Sequence, residues 1–287
     1  MTRHHAPHAA PPAAPHARLG CSTISFRHLD LEMALTWITE LGFRTIDLGA
    51  LPGVCDHVPF VLDRAAVAGV ASTVAGSGLR VRSINGDIGD LNRPLDDDAR
   101  VARAAHLDML LTLARATGAR ALVLPCGALD HDPVNALDDD LDLVAAELIR
   151  AADRATAHGV ELWTESLHHY RLCHDIDRAQ ALADRLCGSD VRLVMDFSHI
   201  VASGGDPVDF VSRFAGRIAH VHIRDAVPGN INLSVGRGQV DFAAGLKALA
   251  NAGYTGEFAL ELETRDVTDD DRPTATAEAA QHISGLI

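Results

Sequence analysis

The sequence predicts a single (β/α)8 barrel, and three observations lead there. Short apolar runs alternate with longer amphipathic segments eight times between residues 20 and 285. The short runs are nearly continuous in Val, Ile and Leu, as expected of parallel strands buried on both faces. The first run is followed by SFRHLDLE rather than a Gly-rich phosphate turn, which disfavours an open doubly wound sheet, the alternative that eight alternations would also allow. A chain of 287 residues, 47% of them hydrophobic, is large for one domain of most folds but ordinary for a barrel of this kind.

Strand-like runs lie at 20–25, 43–48, 79–84, 120–124, 160–165, 191–196, 217–223 and 257–262. Helical segments lie between and after them at 31–41, 61–76, 97–117, 138–158, 176–187, 206–214, 241–252 and 271–285. In LDMLLTLARATGAR, Leu107, Leu110, Leu111 and Ala114 recur at helical spacing, and Gly118 fits a C-terminal cap. The acidic triplets at 96–98, 138–140 and 269–271 each precede or open a helix. Helix N-termini favour carboxylates, and solvation suits them better than metal binding. Residues 1–18, rich in Ala, Pro and His, hold too few bulky apolar groups to offset ordering entropy and are expected to be a disordered tail. The barrel is expected over 19–287.

Composition excludes several function classes. Net charge is −14, and no Lys/Arg cluster offers the cationic face that nucleic-acid binding needs. No apolar run approaches a membrane span, and the N-terminal residues lack the apolar core of a signal peptide. Five scattered cysteines without CxxC spacing read as reduced thiols, so a cytoplasmic protein is expected.

The chemistry lies in the second half. Glu165 ends VELWTES, Asp196 stands in VRLVMDFSH, His222 in IAHVHIRD and Glu261 in EFALELE. Each sits where an apolar run gives way to polar residues. In a barrel the C-terminal strand ends share one face, so strands five to eight bring three carboxylates and an imidazole together. Crowded carboxylates repel and are costly to bury unpaired; a divalent cation removes that cost. The oxygen-rich set suits Mn²⁺ best, with Mg²⁺, Co²⁺ and Zn²⁺ as alternatives.

These segments carry a resemblance. DFSHIVASGGDP, HVHIRDAVPGN and GRGQVDFAAGLKALANAGYTGEFALELE resemble the sugar phosphate isomerase/epimerase superfamily, the xylose isomerase-like TIM barrels, continuously from about Gly159 to Glu263. GFRTIDLGALPG resembles the family's second strand–helix unit. The resemblance implies that Glu165, Asp196, His222 and Glu261 bind metal, with Glu165 and Glu261 doubling as acid/base catalysts on opposite faces of the substrate carbon. It implies that His199 touches a substrate oxygen and that Arg237 holds a hydroxyl, carboxylate or phosphate. His168 is the favoured pocket residue of ESLHHYRLCHD. Asn85, in RVRSING, is a candidate for a substrate hydroxyl, with an Asn-Gly turn as the plainer reading. His220, two residues before His222, is either a supporting residue or a core histidine, and Asp47 either reaches the pocket or makes a salt bridge.

A carboxylate base beside a carbonyl, with a cation to stabilise the enediolate, supports isomerisation, epimerisation or loss of a β-hydroxyl. The expected activity is therefore a metal-dependent isomerase or epimerase of a keto-sugar or cyclitol, phosphorylated or not. The alternative is a dehydratase of an inosose or 3-dehydroshikimate-like ring. Barrels of this type resemble known dimers and tetramers, and a homodimer is the expected assembly.

Overall fold

The computed structural model describes residues 14–287. Its core is a closed barrel of parallel strands: β1 Leu19–Ser22, β2 Thr45–Ala50, β3 Arg80–Gly86, β4 Ala121–Pro125, β5 Glu161–Glu165, β6 Arg192–Asp196, β7 Ile218–Ile223 and, after a hairpin of β8 Asp225–Val227 and β9 Asn230–Leu233, β10 Phe258–Leu260. Strands pair in chain order, and β10 pairs with both β7 and β1 to close the ring. The (β/α)8 fold is thus as expected. The first run is shorter than its sequence suggests: Thr23–Phe26 turn into a 3-10 helix.

The helices are α1 Leu31–Glu40, α2 Arg64–Ser77, α3 Asp97–Thr117, α4 Leu137–His158, α5 Ile176–Arg185, α6 Phe197–Ala202, α7 Pro207–Phe214, α8 Phe242–Asn251 and α9 Arg272–Ser284. The acidic balance has a local cause. Asp30, Asp63, Asp96, Asp175, Asp206 and Asp241 each accept a backbone N–H at the start of a helix, which satisfies donors the helix itself cannot. Helices α3 and α4 stop at Gly118 and Gly159, whose φ of 70° and 72° a side chain adopts only at a cost.

The main core lies between sheet and helices, where Leu110, Leu111, Val144, Leu148, Leu182 and Phe210 are buried. Inside the barrel, Trp163 packs with Ala121, Val123, Val194 and Ala219. Trp163 is a core residue: it is fully buried, and its indole N–H donates to Glu161 Oε2 at 2.9 Å. Asp140 is not a solvated member of its triplet. It is fully buried and accepts from Asn92 Nδ2, Val134 N and Asn135 N and Nδ2, tying the loop after β4 to α4.

The expected disordered tail falls largely outside the described residues. Its last part is tied to the barrel: His16 N donates to Ser284 Oγ at 2.9 Å, and Arg18 Nε to Gly256 O at 2.8 Å. All five cysteines are free, and Cys187 alone among them is exposed. Among the described residues no helix is long and apolar enough to cross a membrane.

Candidate metal centre and active site

Four consecutive barrel strands deliver the four expected donors to the C-terminal mouth. Glu165 is the last residue of β5 and Asp196 of β6; His222 lies near the end of β7, and Glu261 follows β10. One donor atom from each lies within 4.8 Å of every other. Two register shifts set the aim. A shift between Leu193 and Val194 brings His222 opposite Asp196. Another between Ile46 and Asp47 brings Ser83 opposite Asp47. Bulges of this kind re-aim side chains next to functional sites.

Asp196 is held most firmly. As N-cap of α6, its Oδ1 accepts from Ser198 N at 2.6 Å, Ser198 Oγ at 2.7 Å and His199 N at 3.3 Å. Its Oδ2 is left to face the cluster and Arg224 Nη2 at 3.3 Å. Glu261 Oε1 accepts from Asn85 Nδ2 at 2.9 Å, leaving Oε2 3.3 Å from His222 Nδ1. Glu165 Oε1 lies 3.4 Å from the same nitrogen.

Buried Glu165 Oε1 and both His222 ring nitrogens lack hydrogen-bond partners. Such atoms are costly unless something else satisfies them. Three carboxylates and one imidazole nitrogen are a hard, oxygen-rich donor set, so these residues fit a divalent cation.

The electrostatics follow from crowding. Burial pushes the Glu165 carboxyl up to about 7, with the charges of Asp196 and Glu261 adding to it and His222 opposing. Burial alone would lower His222, but Glu261, Asp47 and Glu165 hold its pKa well above the ordinary imidazole value. His168 and His199 are driven well below it, first by burial and then by neighbouring cationic groups, Arg171 and Arg224 among them.

A cavity of about 290 Å³ opens above the cluster, lined in part by Glu165, His168, His199, His222, Glu261 and Arg224. That volume accommodates a small polar molecule rather than a polymer.

The xylose isomerase-like TIM barrel pattern matches residues 35–286. The chain belongs to that family. This xylose isomerase-like barrel is 27% identical over 255 residues to an L-ribulose 3-epimerase of Mesorhizobium japonicum, covering 86% of this chain and 80% of that protein. It is 26% identical over 200 residues to an inosose dehydratase of Lacticaseibacillus casei, covering 58% of this chain and 64% of the relative, just under two thirds of its length. Among solved structures it superposes on the IolI protein with a bound zinc atom, at a TM-score of 0.75 and 16% identity, over 94% of this chain and 99% of that one.

Within this xylose isomerase-like barrel the other expected site residues divide. His168 lines the cavity with Nε2 3.9 Å from Glu165 Oε2. His199 does too; its Nδ1 accepts from His169 N at 3.0 Å, and its Nε2 faces Glu165 and Asp196, 3.9 Å from each. Asn85 also lines the cavity, but its amide is committed to Glu261.

Arg237 lies apart from these residues. Its side chain is 64% exposed and 3.9 Å from Asp266, and it does not line the cavity. The loop carrying it folds around Asp225, which accepts from Gly236 N, Gly238 N and Val240 N, and this leaves Arg237 outside the mouth. The cations that line the cavity are Arg171, Arg224 and Arg265.

Sequence reasoning missed Arg224 although a signal existed: in HVHIRD it follows His222 by two, so strand periodicity puts it on the same face. Its Nε donates to Ser198 Oγ at 3.0 Å, and its Nη groups face Asp196 and Glu263.

Proposed function

We propose that this chain is a divalent-metal-dependent isomerase or epimerase that moves a proton next to a carbonyl of a keto-sugar or cyclitol. The observation that carries this reading is the convergence of Glu165, Asp196, His222 and Glu261 from four consecutive strands, with donor atoms within 4.8 Å of one another at the floor of a small cavity. Mn²⁺ suits the donor set best; the zinc in the IolI protein supports a divalent cation in this type of site. Bound by these four residues, the cation supplies the positive charge that an enediolate requires.

The chain's own groups supply the rest. Glu165, with a carboxyl pushed up to about 7, is poised to take a proton from carbon near neutral pH. Glu261 is oriented by Asn85 and faces the cluster from the other side of His222; for epimerisation it delivers its own proton to the opposite face of the carbon, while the abstracted proton stays on Glu165. His168 and His199 are kept neutral by burial and nearby cations and orient substrate oxygens above the floor. Of the three arginines lining the cavity, Arg171 and Arg224 are already paired with Asp87, Asp196 and Glu263, so a substrate phosphate would have to rely on exposed Arg265.

A second reading has a specific observation behind it. The match to an inosose dehydratase favours elimination of a β-hydroxyl from the same enolised substrate. The test is proton NMR of ketoses and keto-cyclitols in D2O with Mn²⁺, with Glu165→Gln as control. Metal-dependent deuterium uptake next to the carbonyl, lost in the variant, supports enolisation; an epimer or isomer as product supports the first reading and a dehydrated product the second. No exchange in any substrate, with Mn²⁺ bound, would count against both.

A further inference from the structure

Beneath the four donors lies a second layer of buried polar groups. Asp47, on β2, is fully buried. Its Oδ1 accepts from Ser83 Oγ at 2.9 Å. Its Oδ2 lies 2.6 Å from His220 Nε2 and 3.4 Å from His222 Nε2. The other nitrogen of His220 faces the carbonyl of Glu257 at 3.1 Å, so both nitrogens of that ring meet oxygens. His220 also lies against Trp163, with ring centroids 5.5 Å apart. Asp47 is thereby held by Ser83 and His220, and its Oδ2 also faces His222.

The same strands hold Glu261. Asn85 lies two residues after Ser83 on β3. Its Oδ1 is 3.4 Å from Ser83 Oγ, and its Nδ2 donates to Glu261 Oε1. The register shift at Ile46/Asp47, which places Ser83 opposite Asp47, is what lets one short run of polar residues serve both ligands.

We infer that Asp47, Ser83 and Asn85 form a positioning layer on β2 and β3 that aims His222 Nδ1 and Glu261 Oε2 into the metal centre, Asp47 by placing its Oδ2 3.4 Å from His222 Nε2 and Asn85 by occupying Glu261 Oε1. None of the three is among the four donors; each would act through one. A carboxylate beside Nε2 favours the tautomer that carries its proton there and leaves the Nδ1 lone pair for the cation, and outer partners of this kind are typically worth about 10–100-fold in metal affinity. The inference rests on the proposed metal reading and adds to it β2 and β3, two of the four barrel strands that contribute no ligand.

The experiment is a titration of purified full-length protein with Mn²⁺, following free Mn²⁺ by electron paramagnetic resonance. Parent, Asp47→Asn and Asn85→Ala are compared, with folding checked by far-ultraviolet circular dichroism. Both variants are expected to fold and to bind Mn²⁺ about 10–100-fold more weakly than the parent, with a broadened bound spectrum. A purely structural role for the layer would lower thermal stability and leave affinity within twofold, and that result in the folded variants overturns the positioning role. Should Asp47→Asn not fold, Asn85→Ala decides by the same criterion. Failure of the parent itself to bind Mn²⁺ overturns the metal reading and this inference with it, an outcome distinct from normal binding by parent and variants alike.

Discussion

Replacing Arg224 with Met separates stability from metal affinity, because the two should move in opposite directions. The guanidinium is 2% exposed, with Nη2 3.3 Å from Asp196 and 4.0 Å from Glu261, and Nη1 3.4 Å from Glu263. Methionine fills much of the aliphatic volume but leaves these carboxylates without a cation. Removing one partner of a buried ion pair costs about 3–5 kcal/mol. At roughly 2–4 °C per kcal/mol for a large domain, the metal-free variant should melt on the order of 6–20 °C below the parent. The deleted charge also repelled any cation entering the donor cluster, so Mn²⁺ should bind the variant at least as tightly and raise its Tm by more than it raises the parent's. The assay is thermal unfolding by circular dichroism with chelator and with Mn²⁺. A metal-free Tm within about 2 °C of the parent, or a smaller metal-induced rise in the variant, would refute the electrostatic role given to Arg224.

Other outcomes follow from the same geometry. The Glu165 carboxyl rises from 4.5 to about 7 on folding, so the folded state holds that proton more tightly. The resulting stability is complete below pH 4.5 and is lost as pH rises through about 7; metal-free Tm should therefore decline across that window, and Glu165→Gln should flatten the decline. In activity, Glu165→Gln should slow deuterium exchange by about 10²–10⁴-fold, the usual contribution of a positioned base, while leaving the far-ultraviolet spectrum unchanged. Asp140→Ala strips four donors of a buried acceptor and should cost on the order of 3 kcal/mol, measured by urea unfolding. Chelation should lower the Tm of the parent reversibly, because a cation that binds only the folded state stabilises it in proportion to its excess over Kd.

The barrel and its four donors were readable because each rests on a local pattern: a continuous apolar run ending in one acidic or imidazole residue. Gly118 and Gly159 marked helix ends for the same reason. What escaped was set by contacts distant in sequence. The β8–β9 hairpin leaves no room for an ordinary strand-like run, and α6 is too short for a helical period. The family resemblance implied a substrate contact for Arg237, yet three backbone N–H groups wrapped around Asp225 turn that loop outward. Asn85 carried an Asn-Gly turn signal, whereas its role comes from Glu261, 176 positions away. Asp140 was indistinguishable from Asp138 and Asp139 until α4 turned it inward.

The order of the strands has a consequence for synthesis. Every donor of the proposed centre belongs to the second half of the chain, and β10, which carries Glu261 into place, can pair with β1 only once nearly the whole chain has been made. A nascent chain paused after β7 would hold Glu165, Asp196 and His222 while both edges of its sheet remained open. A cation captured at that stage would meet an incomplete and solvent-flooded set of ligands. Closing the ring therefore completes the donor set as well as the core, so the last strand to emerge from the ribosome is the one that turns a half-built basin into a selective one.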